Sequence, residues 1–341
     1  MEAVHSRAIT WLRFVLAAMI VYVHVPILSK TGNPLTFGSG VFYGIKGIIS
    51  DCICRLAVPC FFVISGYFFF TKLSKWDTAI WLQKLKKRVW TLLIPFILWN
   101  LIALVQYWLR SRIVGEAFSF STLYAERGIY LDFPLWFMRD LMIMVVAAPA
   151  IFFLIKKLNY WYLILIAIAA YFPELPFPIA ASSVLYFSLG SYMMIYGKDF
   201  ITEFWRIRWP VWIAYVTVIA ILFAVPLSSS WRHALLYIMT FTGVVSIFNA
   251  AYALMKSELV KTHPVLSDSS FFIYAIHSLL LGSVAIVMNK VLPFAGDFWL
   301  FFKDLITAII TVVLIVLFYM VSSRILPKTT ALLNGGRVSS K

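Results

Sequence analysis

The chain has 341 residues, of which 62% are hydrophobic and 13% are charged, and its mean hydropathy is +0.91. This composition excludes an ordinary soluble domain, in which about half of the residues are apolar and about a quarter are charged. It predicts a polytopic membrane protein. The formal net charge is +15, but the basic residues stand in short loops between apolar segments, which argues against nucleic acid as a partner and is typical of anchoring beside a membrane.

Apolar segments that could span a membrane occur along the whole chain. A transmembrane helix needs about 20 mostly apolar residues, and on this basis we predict ten spans: 8–28, 41–70, 89–109, 134–155, 159–173, 178–196, 209–227, 231–254, 268–289 and 299–323. Pro59 predicts a kink in the second span. The fifth and sixth spans flank FPELPFP (172–178), which cannot stay helical, and without this pair eight spans remain. The predicted fold class is an all-α integral membrane protein with about ten transmembrane helices.

The distribution of Lys and Arg predicts that both termini are cytoplasmic. Most basic residues outside the spans fall on the side of the N-terminus, and those on the other side are Lys30, Arg110, Arg112, Arg127, Arg232 and Lys290. Because basic loops stay in the cytoplasm, we expect one transmembrane domain over 1–326 and a short polar cytoplasmic tail over 327–341. Cys52, Cys54 and Cys60 lack the partners of a zinc site, and we expect no metal.

The first span contains Arg13 and, eleven residues later, His24. Eleven helical steps of about 100° come within about 20° of three full turns, so both side chains share one stripe, about 16 Å apart along the axis. Ionisable groups at membrane depth are costly and mark a functional site by default. Each residue also has a purely structural interpretation. His24 could form a hydrogen bond to a neighbouring carbonyl within the packed core, and Arg13 could reach the cytoplasmic headgroups.

Other polar residues fall at a similar depth. Counting about 1.5 Å per residue from the cytoplasmic end of each span, His24, Arg55, Arg139 and Asp140 all lie about 24 to 25 Å deep, and His277 lies nearer the midplane. This shared level predicts a site in the outer half of the bilayer.

Each of these groups also has a structural interpretation. Asp51 and Arg55 are four residues apart and could form an ion pair. Tyr274 and His277 lie three apart on one helix face and could form a hydrogen-bonded pair. Arg139 and Asp140 are adjacent and point to different faces, so we expect no local pair between them.

A basic cluster, KLKKR (84–88), stands beside a predicted membrane end on the cytoplasmic side. Such a cluster usually sets topology and attracts anionic lipid. The sharper interpretation is a docking site for the phosphates of coenzyme A, made by Arg13, Lys84, Lys86, Lys87 and Arg88. Ser65 is a weak candidate nucleophile, and the Ser65–Gly66 pair more simply permits close helix packing.

Arg13, ten intervening residues and His24 match the Arg-x10-His signature of the acyltransferase type 3 family of integral membrane acyltransferases. Further matches follow in the family's order: RLAVPCFFVISGYFFF (55–70), KKRVWTLLIPFILWN (86–100), PLWFMRDL (134–141) and SSFFIYAIHSLLL (269–281). The chain resembles the short form, without a fused extracytoplasmic esterase-like domain, and is most similar to the branch of polysaccharide and enterobacterial common antigen O-acetyltransferases. It departs from longer relatives in Pro26, just after His24, and in an Arg-x3-Pro sequence at Arg55.

The resemblance implies a multi-pass enzyme of a bacterial inner membrane. It would move an acyl group, by analogy acetyl, from cytoplasmic acyl-CoA to a hydroxyl of a cell-surface glycan or its lipid-linked precursor, in contact with membrane lipids. His24 is the candidate general base, because an imidazole with an ordinary pKa of about 6.5 suits neutral pH; direct transfer and an acyl-histidine intermediate both stay open.

The remaining roles follow from the types of side chain. Arg55 or Arg139 would stabilise the thioester oxyanion, and Asp140 would orient His24 or bind hydroxyl groups. Trp136, Tyr274 and His277 are candidate acceptor contacts, with Trp136 stacking on a sugar ring. A transporter or flippase of a polar or lipid-linked substrate is the alternative, and a membrane sensor or scaffold is a third. The sequence does not indicate the oligomeric state.

Overall fold

The computed structural model describes residues 2–28, 41–115, 117–121, 123, 131–172 and 180–336, and within these ranges the regular structure is helical, with no strand. The helices are numbered in chain order: α1 Ala3–Leu28, α2 Val41–Gly47, α3 Ala57–Phe69, α4 Thr78–Arg88, α5 Ile94–Val114, α6 Trp136–Val146, α7 Ala148–Leu158, α8 Tyr160–Tyr171, α9 Ala181–Ile195, α10 Phe200–Arg206, α11 Arg208–Ala224, α12 Ser229–Lys256, α13 Pro264–Val291, α14 Asp297–Ile325 and α15 Pro327–Leu333.

Six helical segments of the described chain are long and apolar enough to cross a membrane: Ala3–Val25, Gly44–Phe69, Thr78–Val114, Ser229–Lys256, Pro264–Val291 and Asp297–Ile325. Two more spans result if each of two bent pairs, α6 with α7 (64°) and α10 with α11 (72°), counts as one. The prediction of about ten spans is thus not confirmed, and eight, the number without the fifth and sixth spans, is the upper end of this count. The predicted fifth and sixth spans correspond to the shorter helices α8 and α9, and the turn between them lies, after Phe172, outside the described residues.

The membrane-facing and protein-facing sides of the helices differ in chemistry. On α14 the side chains of Ile309, Val313 and Leu317, four residues apart, are about half exposed, and in a bilayer this apolar stripe would contact lipid. The opposite side packs inward, and α1 lies in the middle of the bundle against α3, α12, α13 and α14. The stripe of α1 that carries Arg13 and His24 therefore faces protein.

Proline residues break two of the spans where their rings cannot continue the helical hydrogen bonds. The predicted kink at Pro59 begins upstream, where the π-helix Ile48–Ile53 and the 3₁₀ turn Cys54–Leu56 precede α3. Pro59 lacks an N–H and crowds the carbonyl of Arg55, four residues earlier, so the irregular backbone falls on Arg55. In the same way Pro149 leaves the carbonyl of Val145 without its helical donor, and the indole of Trp81 donates to it at 3.0 Å.

Helices α3 and α9 cross at two glycine residues. A Cβ atom added to Gly66 would lie 2.0 Å from the carbonyl oxygen of Phe187, and one added to Gly190 would lie 2.0 Å from that of Val63. Only residues without a side chain allow two backbones to approach so closely. Gly66 therefore permits the close helix packing that the sequence predicts at the Ser65–Gly66 pair.

The start of the predicted polar tail is part of the packed structure. Helix α15 begins at Pro327, and the side chains of Thr330 and Asn334 are buried. The Trp99 indole of α5 donates to the carbonyl of Leu333 at 3.1 Å, and Asn334 donates to the carbonyl of Asp268 at 2.9 Å. Residues 327–336 thus tie α5 to the beginning of α13.

Candidate active site

His24 has a defined tautomer in this structure. Its Nδ1 lies 2.8 Å from the carbonyl oxygen of Ile20, one helical turn earlier. A carbonyl oxygen only accepts hydrogen bonds, so Nδ1 carries the proton and Nε2 keeps its lone pair. A hydrogen bond to a neighbouring carbonyl was the structural alternative to a functional role for His24. This bond is present, and it orients the ring while leaving Nε2 available as a base. The carbonyl of Ile20, rather than Asp140, holds His24 in this orientation.

A cavity of about 450 Å³, named here the His24 cavity, opens beside this ring. Four of the predicted site residues contribute to its wall, namely His24, Arg55, Trp136 and Tyr274. Phe133, Phe137 and Ser183 also line it, and the ring of Phe133 meets His24 edge-on with centroids 6.3 Å apart. The wall is thus mostly apolar and aromatic, and its ionisable and polar groups include one imidazole and one guanidinium beside hydroxyl groups and the thiol of Cys54.

Arg55 enters this cavity from a fixed position. Its Nε donates to the carboxylate of Asp51 at 2.5 Å, and Asp51 is 5% exposed whereas Arg55 is 53% exposed. The ion pair that the i,i+4 spacing predicts is therefore present. It does not exclude a functional role, because the buried carboxylate bonds Nε and Arg55 also lines the His24 cavity.

Arg139 and Asp140 correct an expectation from the sequence. The Arg139 Nε and Nη2 both donate to one carboxylate oxygen of Asp140, at 2.8 and 2.6 Å, so the local pair that we expected to be absent is formed. Adjacent Cβ atoms do diverge on a helix, but the long arginine side chain folds back toward a carboxylate that is fully buried and needs a counter-charge. Neither residue is among those that line the His24 cavity, so of the two predicted oxyanion partners Arg55 is the one at the site.

A second cavity of about 390 Å³, named here the Arg13 cavity, lies nearer the N-terminal end of α1. Arg13 and Arg88 line it, together with Asp268 and several hydroxyl side chains. The guanidinium of Arg13 also lies over the ring of Phe68, 5.7 Å from its centroid. Arg13 therefore points into the protein, and the two cations give this cavity a positive balance.

The other members of the basic cluster have different surroundings. Lys84 donates to the carbonyl oxygens of Phe69 and Thr71, at 2.5 and 2.8 Å, at the end of α3. Lys86 and Lys87 are exposed on α4. Of the five predicted phosphate contacts, the structure thus brings Arg13 and Arg88 together, gives Lys84 a helix-capping position, and leaves Lys86 and Lys87 at the surface.

The two cavities share Phe137 and Tyr274 in their walls. The two rings meet edge-on with centroids 5.7 Å apart, and the Tyr274 hydroxyl donates to the carbonyl of Pro134. Tyr274 was predicted as an acceptor contact; Phe137 was not singled out, although it follows Trp136 in PLWFMRDL. Phe137 is of interest because its ring borders both cavities, and no local sequence pattern indicates such a position.

His277 lies behind His24. Its ring centroid is 5.0 Å from that of His24, and its side chain is fully buried. The sequence predicts that His277 lies nearer the midplane than His24, and packing of α13 against α1 brings the two rings into contact. Tyr274 and His277 do not form a hydrogen-bonded pair of side chains; instead Nδ1 of His277 donates to the carbonyl of Tyr274 at 2.7 Å.

The described residues contain no group of three His, Cys, Asp or Glu side chains arranged to hold a metal ion. Cys52, Cys54 and Cys60 are buried and free.

The described residues combine candidate membrane-spanning helices with two internal cavities, one lined by an imidazole and the other by two guanidinium groups, which defines a helical membrane protein with an internal candidate site. The chain belongs to the acyltransferase type 3 family, since the family model described as an acyltransferase domain matches residues 6–323. The protein is thus a multi-pass membrane acyltransferase.

A curated relative is the succinoglycan biosynthesis protein ExoH of Rhizobium meliloti (strain 1021). It is 25% identical to this chain over 362 aligned positions, which cover 100% of this chain and 95% of the relative. No solved structure matches the chain significantly.

Proposed function

We propose that the protein is an O-acyltransferase that moves an acyl group, most simply acetyl, from cytoplasmic acyl-CoA to a hydroxyl of a cell-surface glycan or its lipid-linked precursor in a bacterial inner membrane. The observation that carries the proposal is the division of the Arg13–His24 stripe between two cavities with one shared wall. One cavity holds two guanidinium groups, and the other holds a basic imidazole. The glycan acceptor follows from the relative's printed role in succinoglycan biosynthesis.

The donor would enter by the Arg13 cavity. Arg13 and Arg88 suit phosphate groups, because guanidinium binds phosphate through paired hydrogen bonds. The pantetheine arm of coenzyme A is slender, and the span from Arg13 to His24 is about 16 Å along α1. The thioester would therefore reach the wall formed by Phe137 and Tyr274, and side-chain movement there would admit it to the His24 cavity.

The acceptor would enter the His24 cavity from the other side. Trp136 offers an aromatic face for a sugar ring, and Nε2 of His24 takes the proton of the acceptor hydroxyl. The alkoxide attacks the thioester carbonyl, and Arg55, held by Asp51, stabilises the negative oxygen. The carbon–sulfur bond then breaks, and His24 returns the proton to the leaving thiolate. Transfer through an acyl-histidine would use the same cavity in two steps.

The test is transfer of labelled acetyl from acetyl-CoA in inverted membrane vesicles of a source strain that lacks its own copy and expresses wild-type or variant protein. We expect alkali-labile label in the polysaccharide and lipid-linked fractions with wild type. His24→Ala should lower the rate by about 10²- to 10⁴-fold, the usual contribution of a general base, with unchanged protein abundance. His233→Ala is the matched control, because His233 is an exposed histidine on α12.

Two results would contradict the proposal. One is wild-type vesicles that form no more labelled product than empty-vector vesicles, which would favour the transporter alternative. The other is full activity of His24→Ala, which would remove His24 from the chemistry.

A further inference from the structure

The imidazole of His277 is fully buried, and only one of its two ring nitrogens has a hydrogen-bond partner within the described part of the chain. Its Nδ1 lies 2.7 Å from the carbonyl oxygen of Tyr274 and 3.3 Å from that of Ile273. Because carbonyl oxygens only accept, Nδ1 carries the proton. The other nitrogen, Nε2, is then an acceptor, and it has no hydrogen-bond partner among the residues that the structure describes. A buried acceptor without a donor is uncommon and calls for an explanation.

The ring that contacts His277 is that of the candidate base, His24. His24 and His277 have the same tautomer, with Nδ1 bonded to a carbonyl of its own helix, and their centroids are 5.0 Å apart. A ring nitrogen lies about 1 Å from its centroid and an N–H···N bond spans about 2.9 Å, so two imidazoles joined by one such bond have centroids roughly 5 Å apart. In the resting state neither Nε2 has a proton to share. When Nε2 of His24 gains a proton, it can donate a hydrogen bond to Nε2 of His277.

The charged groups around His24 indicate why a hydrogen bond between protonated His24 and His277 would matter. The charged group that acts on His24 is the cation of Arg55, whose own partner is the carboxylate of Asp51. No carboxylate bonds Nδ1 of His24, because the carbonyl of Ile20 occupies it. On the side of α13 the ring contacts His277, and the carboxylates of Asp132 and Asp140 act on Tyr274, which lines the same cavity. Among the residues that the structure describes, no carboxylate is thus hydrogen-bonded to the His24 ring.

We propose that His277 is a positioning residue for acyl transfer, whose Nε2 accepts a hydrogen bond from the protonated ring of His24. The inference rests on the proposed function. The acceptor O–H bond breaks and its proton passes to Nε2 of His24 as oxygen attacks the thioester carbon. While the imidazolium exists, its N–H is shared with Nε2 of His277. As the carbon–sulfur bond breaks, the proton leaves His24 for the thiolate. His277 ends each cycle unchanged.

Two substitutions separate this role from a purely structural one. His277→Asn keeps an N–H where Nδ1 donates to the helix but removes the acceptor at Nε2. His277→Gln keeps an acceptor oxygen near Nε2 but loses the local donor. Labelled acetyl transfer in the vesicles described above gives kcat and the KM for acetyl-CoA, and detergent-solubilised protein gives thermal stability.

We expect His277→Asn to lower kcat roughly 10- to 100-fold, the value of one hydrogen bond to a charged group, with little change in the KM for acetyl-CoA. His277→Gln should retain more of kcat than His277→Asn. In a His24→Ala background, His277→Asn should have no further effect, because the two residues act as one unit. The opposite order, with Asn active and Gln impaired, would overturn the proposal, as would additive effects.

A measurement on wild-type protein covers the case in which a variant does not fold. In protein labelled with ¹⁵N-histidine, the resting spectrum should show His277 with an unprotonated Nε2, and a protonated Nε2 would overturn the inference. The proposed function fails separately: wild-type vesicles without acetyl-CoA-dependent product would reject acyl transfer itself, and with it the role of His277. Active wild type with a fully active His277→Asn variant rejects only the role of His277.

Discussion

The crossing of α3 and α9 is the packing feature on which both cavities depend. Helix α3 contributes Val58, Pro59 and Phe62 to the His24 cavity, and its other face lines the Arg13 cavity. A Cβ added at Gly190 would lie 2.0 Å from the carbonyl oxygen of Val63. We predict that Gly190→Ala lowers both stability and activity.

The magnitude follows from this geometry. Ordinary contacts of a Cβ begin at 3.4 Å, so α3 and α9 would have to separate by about 1.4 Å at the crossing, because a backbone atom cannot rotate away. Overpacking typically costs about 1 to 3 kcal/mol, and a clash with backbone falls at the upper end. We therefore expect a decrease in melting temperature of about 4 °C. A displacement of about 1 Å near reacting groups can also lower the rate by about 100-fold.

The assay uses a thiol-reactive fluorescent dye on protein in detergent. Cys52, Cys54 and Cys60 are buried and free, so the dye reports unfolding without added cysteine residues. Gly282→Ala is the matched control, because a Cβ at this helical glycine meets no atom within 4 Å, and alanine should be neutral or slightly stabilising. Equal melting temperatures for Gly190→Ala and Gly282→Ala would refute the close crossing.

Two further predictions concern charged side chains. Arg55→Ala should lower kcat of acetyl transfer about 10²- to 10³-fold, as loss of an oxyanion contact does. Asp51→Asn should have a smaller effect, because the cation of Arg55 remains but is no longer held by a carboxylate. An unchanged kcat for Arg55→Ala would contradict its role in stabilising the oxyanion. Lys84→Gln should lower the free energy of unfolding by about 1.5 to 3 kcal/mol through loss of hydrogen bonds to the end of α3. The control Lys86→Gln, at an exposed position, should change the free energy of unfolding by no more than about 0.5 kcal/mol. Equal melting curves of the two variants in the dye assay would show that Lys84 does not cap α3.

Features that depend on one helix alone were predictable from the sequence. The apolar runs define the spans, because a helix in lipid must satisfy its backbone internally and cover itself with apolar side chains. The spacing of Arg13 and His24 fixes their common stripe, since the helical repeat is local. The Asp51–Arg55 pair follows from i,i+4 geometry for the same reason.

Features that depend on how helices meet were decided by the tertiary structure. The contact of His24 with His277 joins α1 to α13, and depth counted along each helix separately placed the two rings at different levels. Phe137 gains its position because two cavities share it. The structure describes six to eight candidate spans and does not confirm ten, because α8 and α9, which correspond to two predicted spans, are helices shorter than 18 residues. Hydrophobic periodicity specifies which side of a helix is buried, but only packing specifies what that side meets.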